Sequence, residues 1–330
     1  GLLGVAIPES AGGTGLGFVE LCLVLQEQGR RLAPVPLLSN LVMSALPLAE
    51  YGSEEQQKQW LAPIATGEIQ VTAALGELGM VDAVVTPVSA TNEGGNWFLT
   101  GELQAVPDAT EADCLLVPAV DGDGKRSIFL VPTGSADVSA EAQSAGLGKT
   151  LATVTLKGAK ADSVLGDVGQ GDDIIDFIEQ RANTALAGLQ VGCTDEALRR
   201  TAEYTGERKQ FGVPIGSFQA VAMRAADAYI DIEAIRSTFW QAMWRIAEGL
   251  DAHSEVRAAK YFACIGAHRV AYTCQHLHGG IGVDVEYPIH RYFLFAKHNE
   301  HLLGGRMTQM TRMGEYLAAH NEAGPRWMME

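Results

Sequence analysis

Arg208-Lys209-Gln210-Phe211-Gly212-Val213-Pro214-Ile215-Gly216-Ser217-Phe218-Gln219 is the stretch on which the reading of this chain turns. Helical periodicity runs up to it, and Gly212 and Pro214 break that periodicity as a turn does. A helix ending here sets an always-charged guanidinium (Arg208), an amide (Gln210) and a planar aromatic (Phe211) side by side, with Phe218 and Gln219 close behind. Such a group is suited to gripping a pyrophosphate. Arg208 and Lys209 alone read as a solvated helix end. The string as a whole is far more specific than its parts.

A second string lies downstream: Gln275-His276-Leu277-His278-Gly279-Gly280-Ile281-Gly282, followed by Tyr287-Pro288-Ile289-His290-Arg291-Tyr292. Glycines without side chains let a backbone approach a ligand closely and adopt positive φ. By itself such a run is no more than a helix stop. Its meaning comes from its company.

The composition narrows the field. A chain of 330 residues, 47% of them hydrophobic, is long enough for one large core or several small ones. Lys and Arg number 24 against 40 Asp and Glu, giving a net charge of −16. No basic run is long enough to track a phosphate backbone, which argues against nucleic acid as a partner. The five cysteines, Cys22, Cys114, Cys193, Cys264 and Cys274, stand singly. They lack zinc-site spacing and read as reduced core thiols, so no metal is expected. No stretch approaches the ~18 apolar residues of a membrane span, and no leader-like segment opens the sequence. The expectation is a cytoplasmic protein with no membrane contact.

Three textures follow one another. Residues 1–68 read as a Gly-rich turn, Ile7-Pro8-Glu9-Ser10-Ala11-Gly12-Gly13, then an apolar helix ending in Arg30-Arg31, then a further helix opened by Ser53-Glu54-Glu55-Gln56 with capping-box spacing. Residues 69–165 carry short β-type runs, among them Trp97 to Thr100, Cys114 to Val120 and Ser127 to Val131. Asn92-Glu93-Gly94-Gly95 and Asp121-Gly122-Asp123-Gly124 punctuate them as turns. This section reads as a small β-barrel or sandwich. Residues 166–330 return to helical period. Ile178, Ala182, Ala185, Leu189 and Cys193 line one face; Ile232, Ile235, Phe239, Met243 and Ile246 another; Val256, Ala259, Ala263, Ala267, Val270 and Cys274 a third. Faces built from such small residues predict a tightly packed helical bundle.

With the order helices, strands, long helices, the two strings resemble the flavin-clasping signatures of the acyl-CoA dehydrogenase family. The resemblance runs from Gly1 to about residue 320. It implies an α+β, mainly α fold: N-terminal helices, a middle β-barrel and a C-terminal four-helix bundle. In the family a pair of helices normally precedes the opening motif, so a further segment is expected before Gly1. The resemblance also implies FAD, held in part by the adjacent subunit. Carried over residue by residue, the clasp comprises Arg208, Gln210, Phe211, Phe218, Gln219, Gln275, His276, Gly279 and Gly280. One departure stands out: the family's Gln three places before the first Gly is His276 here, with Gln275 one place earlier.

The resemblance fails where the chemistry should be. In the family a carboxylate base takes the α-proton of an acyl-CoA thioester while hydride leaves Cβ for the flavin. Its usual Tyr-Glu-Gly-Thr falls on Leu302-Leu303-Gly304-Gly305. Other members place the Glu directly before an Arg in the first long helix; that pair falls on Gln180-Arg181. Leu303 and Gln180 thus occupy the expected base positions, and no catalytic residue is assigned. Glu179, rotated ~100° away on a helix, and Glu300 and His301, one turn early, read as solvated surface residues. The stretches that should wrap the flavin ring read Gly76-Glu77-Leu78-Gly79-Met80-Val81 and Ala105-Val106-Pro107, poor in hydrogen-bond donors.

The combined expectation is the non-catalytic subunit of a heteromeric acyl-CoA dehydrogenase. It is most like subunits of actinobacterial heterotetramers acting on steroid side-chain thioesters. A homologous catalytic chain would bind most of the acyl-CoA, and an electron-transfer flavoprotein would accept the electrons. One alternative is a self-sufficient homotetramer with a displaced base, Glu179, Glu300 or Glu77. Another is a DNA-binding relative of the fold, which the charge of −16 opposes.

Overall fold

The computed structural model describes residues 1–76, 88–146 and 148–320. The chain divides into two compact units: Gly1–Val24 with Val35–Ala182, and Leu25–Pro34 with Asn183–Glu330.

The first unit opens with short 3-10 turns at Leu2–Gly4 and Glu9–Ala11 and the start of helix α1 (Phe18–Arg31). A π-helical stretch, Leu38–Ala45, runs into α2 (Leu46–Tyr51), and α3 (Glu54–Thr66) follows. The capping box expected at Ser53 forms: Ser53 N donates to Gln56 Oε1 at 2.9 Å and Gln56 N to Ser53 Oγ at 3.3 Å. All eight π-helical residues are buried, so their polar side chains need partners. Asn40 Oδ1 accepts from Val71 N, Ser44 Oγ donates to the Ser39 and Val71 carbonyls, and Ser39 Oγ donates to Asp108 Oδ2.

Those bonds tie the helices to a sheet. Its strands are β1 (Val71–Ala73), β2 (Val88–Glu93), β3 (Asn96–Pro107), β4 (Cys114–Val120), β5 (Arg126–Pro132), β6 (Val138–Ala145), β7 (Gly148–Lys160) and β8 (Ser163–Leu165). They connect in the order β6-β7-β3-β2-β4-β5-β8, with β1 beside β4. Both predicted turns are present. Gly94 and Gly95 have φ of 60° and 89° between Glu93 and its partner Asn96, the signature of a type I′ hairpin. Asp121 Oδ1 accepts from the N–H groups of Asp123 and Lys125 and closes the β4–β5 turn. The apolar run Cys114 to Ala119 is buried throughout, as a strand covered on both faces requires. The register of β3 against β7 shifts between Leu103 and Val106, and Ala105 there takes φ 52°.

The second unit is helical. Helix α4 (Gly171–Glu207) enters it from the first; α5 (Gln219–Ala247), α6 (His253–His278), α7 (Ile289–His301) and α8 (Arg306–Ala319) complete it. The faces foreseen on α4, α5 and α6 are all buried. On α4, moreover, every residue from 182 to 194 is buried, the mark of a helix enclosed on all sides. Helix α1 crosses α4 through two glycines: a Cβ on Gly29 would lie 2.1 Å from Leu189 O, and one on Gly192 only 1.8 Å from Gln26 O. An Arg30–Asp195 ion pair at 2.9 Å and a bond from Tyr292 Oη to Arg30 O at 3.3 Å flank the crossing.

All five cysteines are buried free thiols, and burial pushes the Cys274 thiol up to about 11. They are core residues, as expected. Among the described residues no group of side chains could hold a metal ion, and no helix is long and apolar enough to cross a membrane.

Because backbone oxygens at the α1–α4 crossing cannot step aside, Gly192→Ala is expected to destabilise the chain by about 1–3 kcal/mol. A urea melt reads this directly. An unchanged midpoint would show that the two backbones are not in contact.

Candidate functional site

The decisive stretch forms a minimal hairpin. Helix α4 ends at Glu207, β9 (Lys209–Gln210) and β10 (Val213–Pro214) pair Gln210 with Val213, and the loop between them is Phe211-Gly212. Both loop residues have positive φ, 54° and 85°. Glycine takes this conformation freely, but a bulky aromatic pays in backbone strain. Nor does burial compensate, since Phe211 is 92% exposed, with the ring of Phe218 edge-on at 6.2 Å. Strain held in place without packing to reward it marks a functional position.

Around this aromatic pair the side chains are exposed donors. Arg208, Gln210 and Gln219 all face solvent. No ion pair among the described residues engages Arg208. Helix α5 begins at Gln219 with no side-chain cap and no acidic residue in its first turn, so its N-terminal N–H groups favour an anion.

The glycine string ends α6. Gly279 takes φ 64° and ψ −142°, and its N–H bonds back to His276 O. A Cβ on Gly279 or Gly280 would meet nothing within 4 Å; the outer side of this loop is open to a ligand. Gln275 turns inward instead. Its Nε2 donates to Gly282 O at 2.6 Å, so it braces the loop. His276 is exposed, and Nη1 of Arg224 lies 2.6 Å from its Nδ1. A guanidinium can only donate, so Nδ1 carries the lone pair and Nε2 the proton. His276 thereby presents an N–H donor, as the amide in the family's pattern can. Sequence reasoning missed Arg224, which lies inside α5 with no motif around it. His278, two places on, is buried: its Nδ1 bonds Cys274 O at 2.7 Å and its ring stacks on Tyr204 at 4.4 Å.

The positions expected to hold a base are structural. Leu303 is 1% exposed with φ 57°. Its carbonyl and that of Gly304 accept from Gln309 Nε2, which Arg257 in turn braces through Oε1. Buried Lys260 donates to the Asn299 and Glu300 carbonyls and so caps the C-terminus of α7. In the first unit, Gln180 Nε2 donates to Asp176 Oδ2 at 2.6 Å. Arg181 stands 3.3 Å over the Phe177 ring, and burial lowers its guanidinium to about 10.

Two surface readings are corrected. Glu179 is only 6% exposed, although its neighbours Gln180 and Arg181 are half-buried. Glu300 is largely covered and pairs with Lys297. His301 is exposed, as expected. Of the ring-wrapping stretches, Val106 and Pro107 are buried and the Pro107 carbonyl accepts from Thr72. Glu77 and its neighbours to Val81 lie outside the described residues.

Because the Phe211 backbone is strained and its ring is not buried, Phe211→Asn is expected to stabilise the ligand-free chain by about 1 kcal/mol. Chemical denaturation measures it; a loss of stability would mean that Phe211 anchors this chain's own fold.

Known proteins share this sequence and fold. Residues 1–68 match the family described as acyl-CoA dehydrogenase, N-terminal domain, and residues 177–317 that described as acyl-CoA dehydrogenase, C-terminal domain. Acyl-CoA dehydrogenase FadE27 of Mycobacterium tuberculosis is 41% identical over 328 residues, covering 96% of this chain and 86% of that protein. A variant of the Tcur3481–Tcur3483 steroid ACAD superposes with a TM-score of 0.90 at 41% identity, covering 98% of this chain and 87% of that one. The ChsE4–ChsE5 complex from Mycobacterium tuberculosis gives 0.90 at 39%, covering 98% and 86%. With a relative this similar along nearly its whole length, the chain belongs to the acyl-CoA dehydrogenase family, whose members are FAD-dependent flavoproteins.

Proposed function

We propose that this chain is the non-catalytic subunit of a heteromeric acyl-CoA dehydrogenase, and that it clasps the ADP end of an FAD whose ring lies in a homologous partner. The observation that carries this reading is a contrast. Arg208, Gln219, His276 and the Gly279-Gly280 loop are exposed and free to bind, whereas Leu303 is buried hydrocarbon and Gln180 is an amide already bonded to Asp176.

When bound, FAD supplies the acceptor for the hydride leaving the thioester. This chain's residues bind and orient. Arg208 and the Nε2–H of His276 would donate to the FAD diphosphate. Phe211 and Phe218 offer an aromatic face, Gln210 and Gln219 amide bonds, and the open glycine loop a close backbone approach. The proton acceptor and most of the acyl-CoA site belong to the partner. The C-terminal segment from about residue 166 does the clasping in this division of the chain, with 1–68 and 69–165 as its companions.

Helix α5 supports a partner of this kind. Its inner face is buried, yet Met223, Ile230, Trp240 and Trp244 on the remainder are exposed by 43–64%, and a helix apolar on both sides expects to be covered. Likeness to a steroid ACAD and to the ChsE4–ChsE5 complex favours a bulky steroid side-chain thioester as substrate. An electron-transfer flavoprotein fits as acceptor. A second reading rests on Glu179, a buried carboxylate beside the base position: a self-sufficient enzyme that Glu179→Gln would inactivate.

Co-purified with its partner, the wild-type chain should give a yellow complex, and Arg208→Ala should weaken FAD retention by about tenfold or more. Alone, the chain should be colourless and inert. Stoichiometric flavin and acyl-CoA oxidation by the isolated chain would overturn the reading.

A further inference from the structure

Polar contacts cross from α5 to α6 in one register. Arg245 lies 3.5 Å from the Glu255 carboxylate, Arg269 Nε donates to Asp231 at 2.8 Å, and Arg224 Nη1 meets His276 Nδ1 at 2.6 Å. Moving toward the Gly279 end, each rung lies whole pairs of turns, about seven residues or a multiple, from the one before. At the two lower rungs cation meets carboxylate. At the top rung a guanidinium meets an imidazole, and no ion pair among the described residues engages Arg224; Asp227, one turn on along α5, is the nearest carboxylate in sequence.

That rung stands in the last turn of α6, beside the open glycine loop. Arg224 is exposed, and a guanidinium has five N–H groups of which this contact uses one. By donating to Nδ1 it also dictates that His276 turns an N–H outward. The top rung is therefore a set of donors carrying positive charge and held in no ion pair among the described residues, while the rungs beneath it are neutralised.

We infer that Arg224 is a positioning residue of the clasp: it fixes the His276 tautomer and brings a second guanidinium to the diphosphate. The inference rests on the trans-clasp reading above and adds to it an explanation of how His276 replaces an amide. A glutamine at 276 offers its N–H whatever stands at 224. Histidine offers one reliably only when its other nitrogen is held as an acceptor.

The experiment uses the co-purified complex, stripped of flavin and titrated with FAD, with fluorescence quenching as the readout and Arg208→Ala as control. Arg224→Gln should weaken FAD binding by about tenfold, as loss of a charge-assisted bond does, and should flatten the salt dependence of binding. Arg224→Lys, which keeps donor and charge, should retain more affinity and guards against misfolding of the Gln variant. In a His276→Gln background the effect of Arg224→Gln should shrink to a few-fold, a coupling that a purely structural role would not produce. Additive losses, or FAD binding by Arg224→Gln equal to wild type while Arg208→Ala releases flavin, overturn the role of Arg224 and leave the clasp standing. If neither variant changes FAD binding, the clasp reading fails and this inference with it.

Discussion

Two backbones touch where α1 crosses α4, and the second unit depends on that touch. Gly29 and Gly192 leave no room for a single carbon between the helices. Contact this close lets α4 be buried on every side from 182 to 194, and a helix so enclosed has a fixed axis. Its C-terminus therefore delivers Arg208 and the Phe211-Gly212 hairpin to a fixed place. The small residues that looked like mere packing are what make the clasp rigid.

What the clasp lacks is equally physical. A carboxylate at position 303 would have to share a buried site with the cap on α7, where Gln309 and Lys260 already hold the backbone carbonyls. Leucine asks for no hydrogen bond and fills the space. The energetic demands of the two regions are thus opposite: the hairpin holds strain and exposes an aromatic ring, while the 302–305 segment is closed and satisfied. In the function proposed above, a chain that keeps the first and seals the second holds a ligand for a partner to transform.

Much of this was legible in the sequence, for reasons of period and local chemistry. The apolar faces of α4, α5 and α6, the Ser53–Gln56 box and the Gly94-Gly95 turn each depend on residues within a few positions of one another, so they can be read without tertiary knowledge. The misses depend on enclosure. Glu179 read as solvated because a helix alone gives no sign of what lies over a given polar position. The bond from Gln275 to Gly282, likewise, needs the folded loop. The π-helix at 38–45 is held by Val71 and Asp108, both distant in the chain. Arg224 became visible only when α5 and α6 were set side by side in register.

The central claim is that one flavin is held by two unlike chains. Its most direct test is the ratio of FAD, released by denaturation and quantified, to total polypeptide in the purified complex of this chain with its partner. Half as many flavins as chains is the result the proposed function predicts. One flavin for every chain, with this subunit seating a ring of its own, would contradict it.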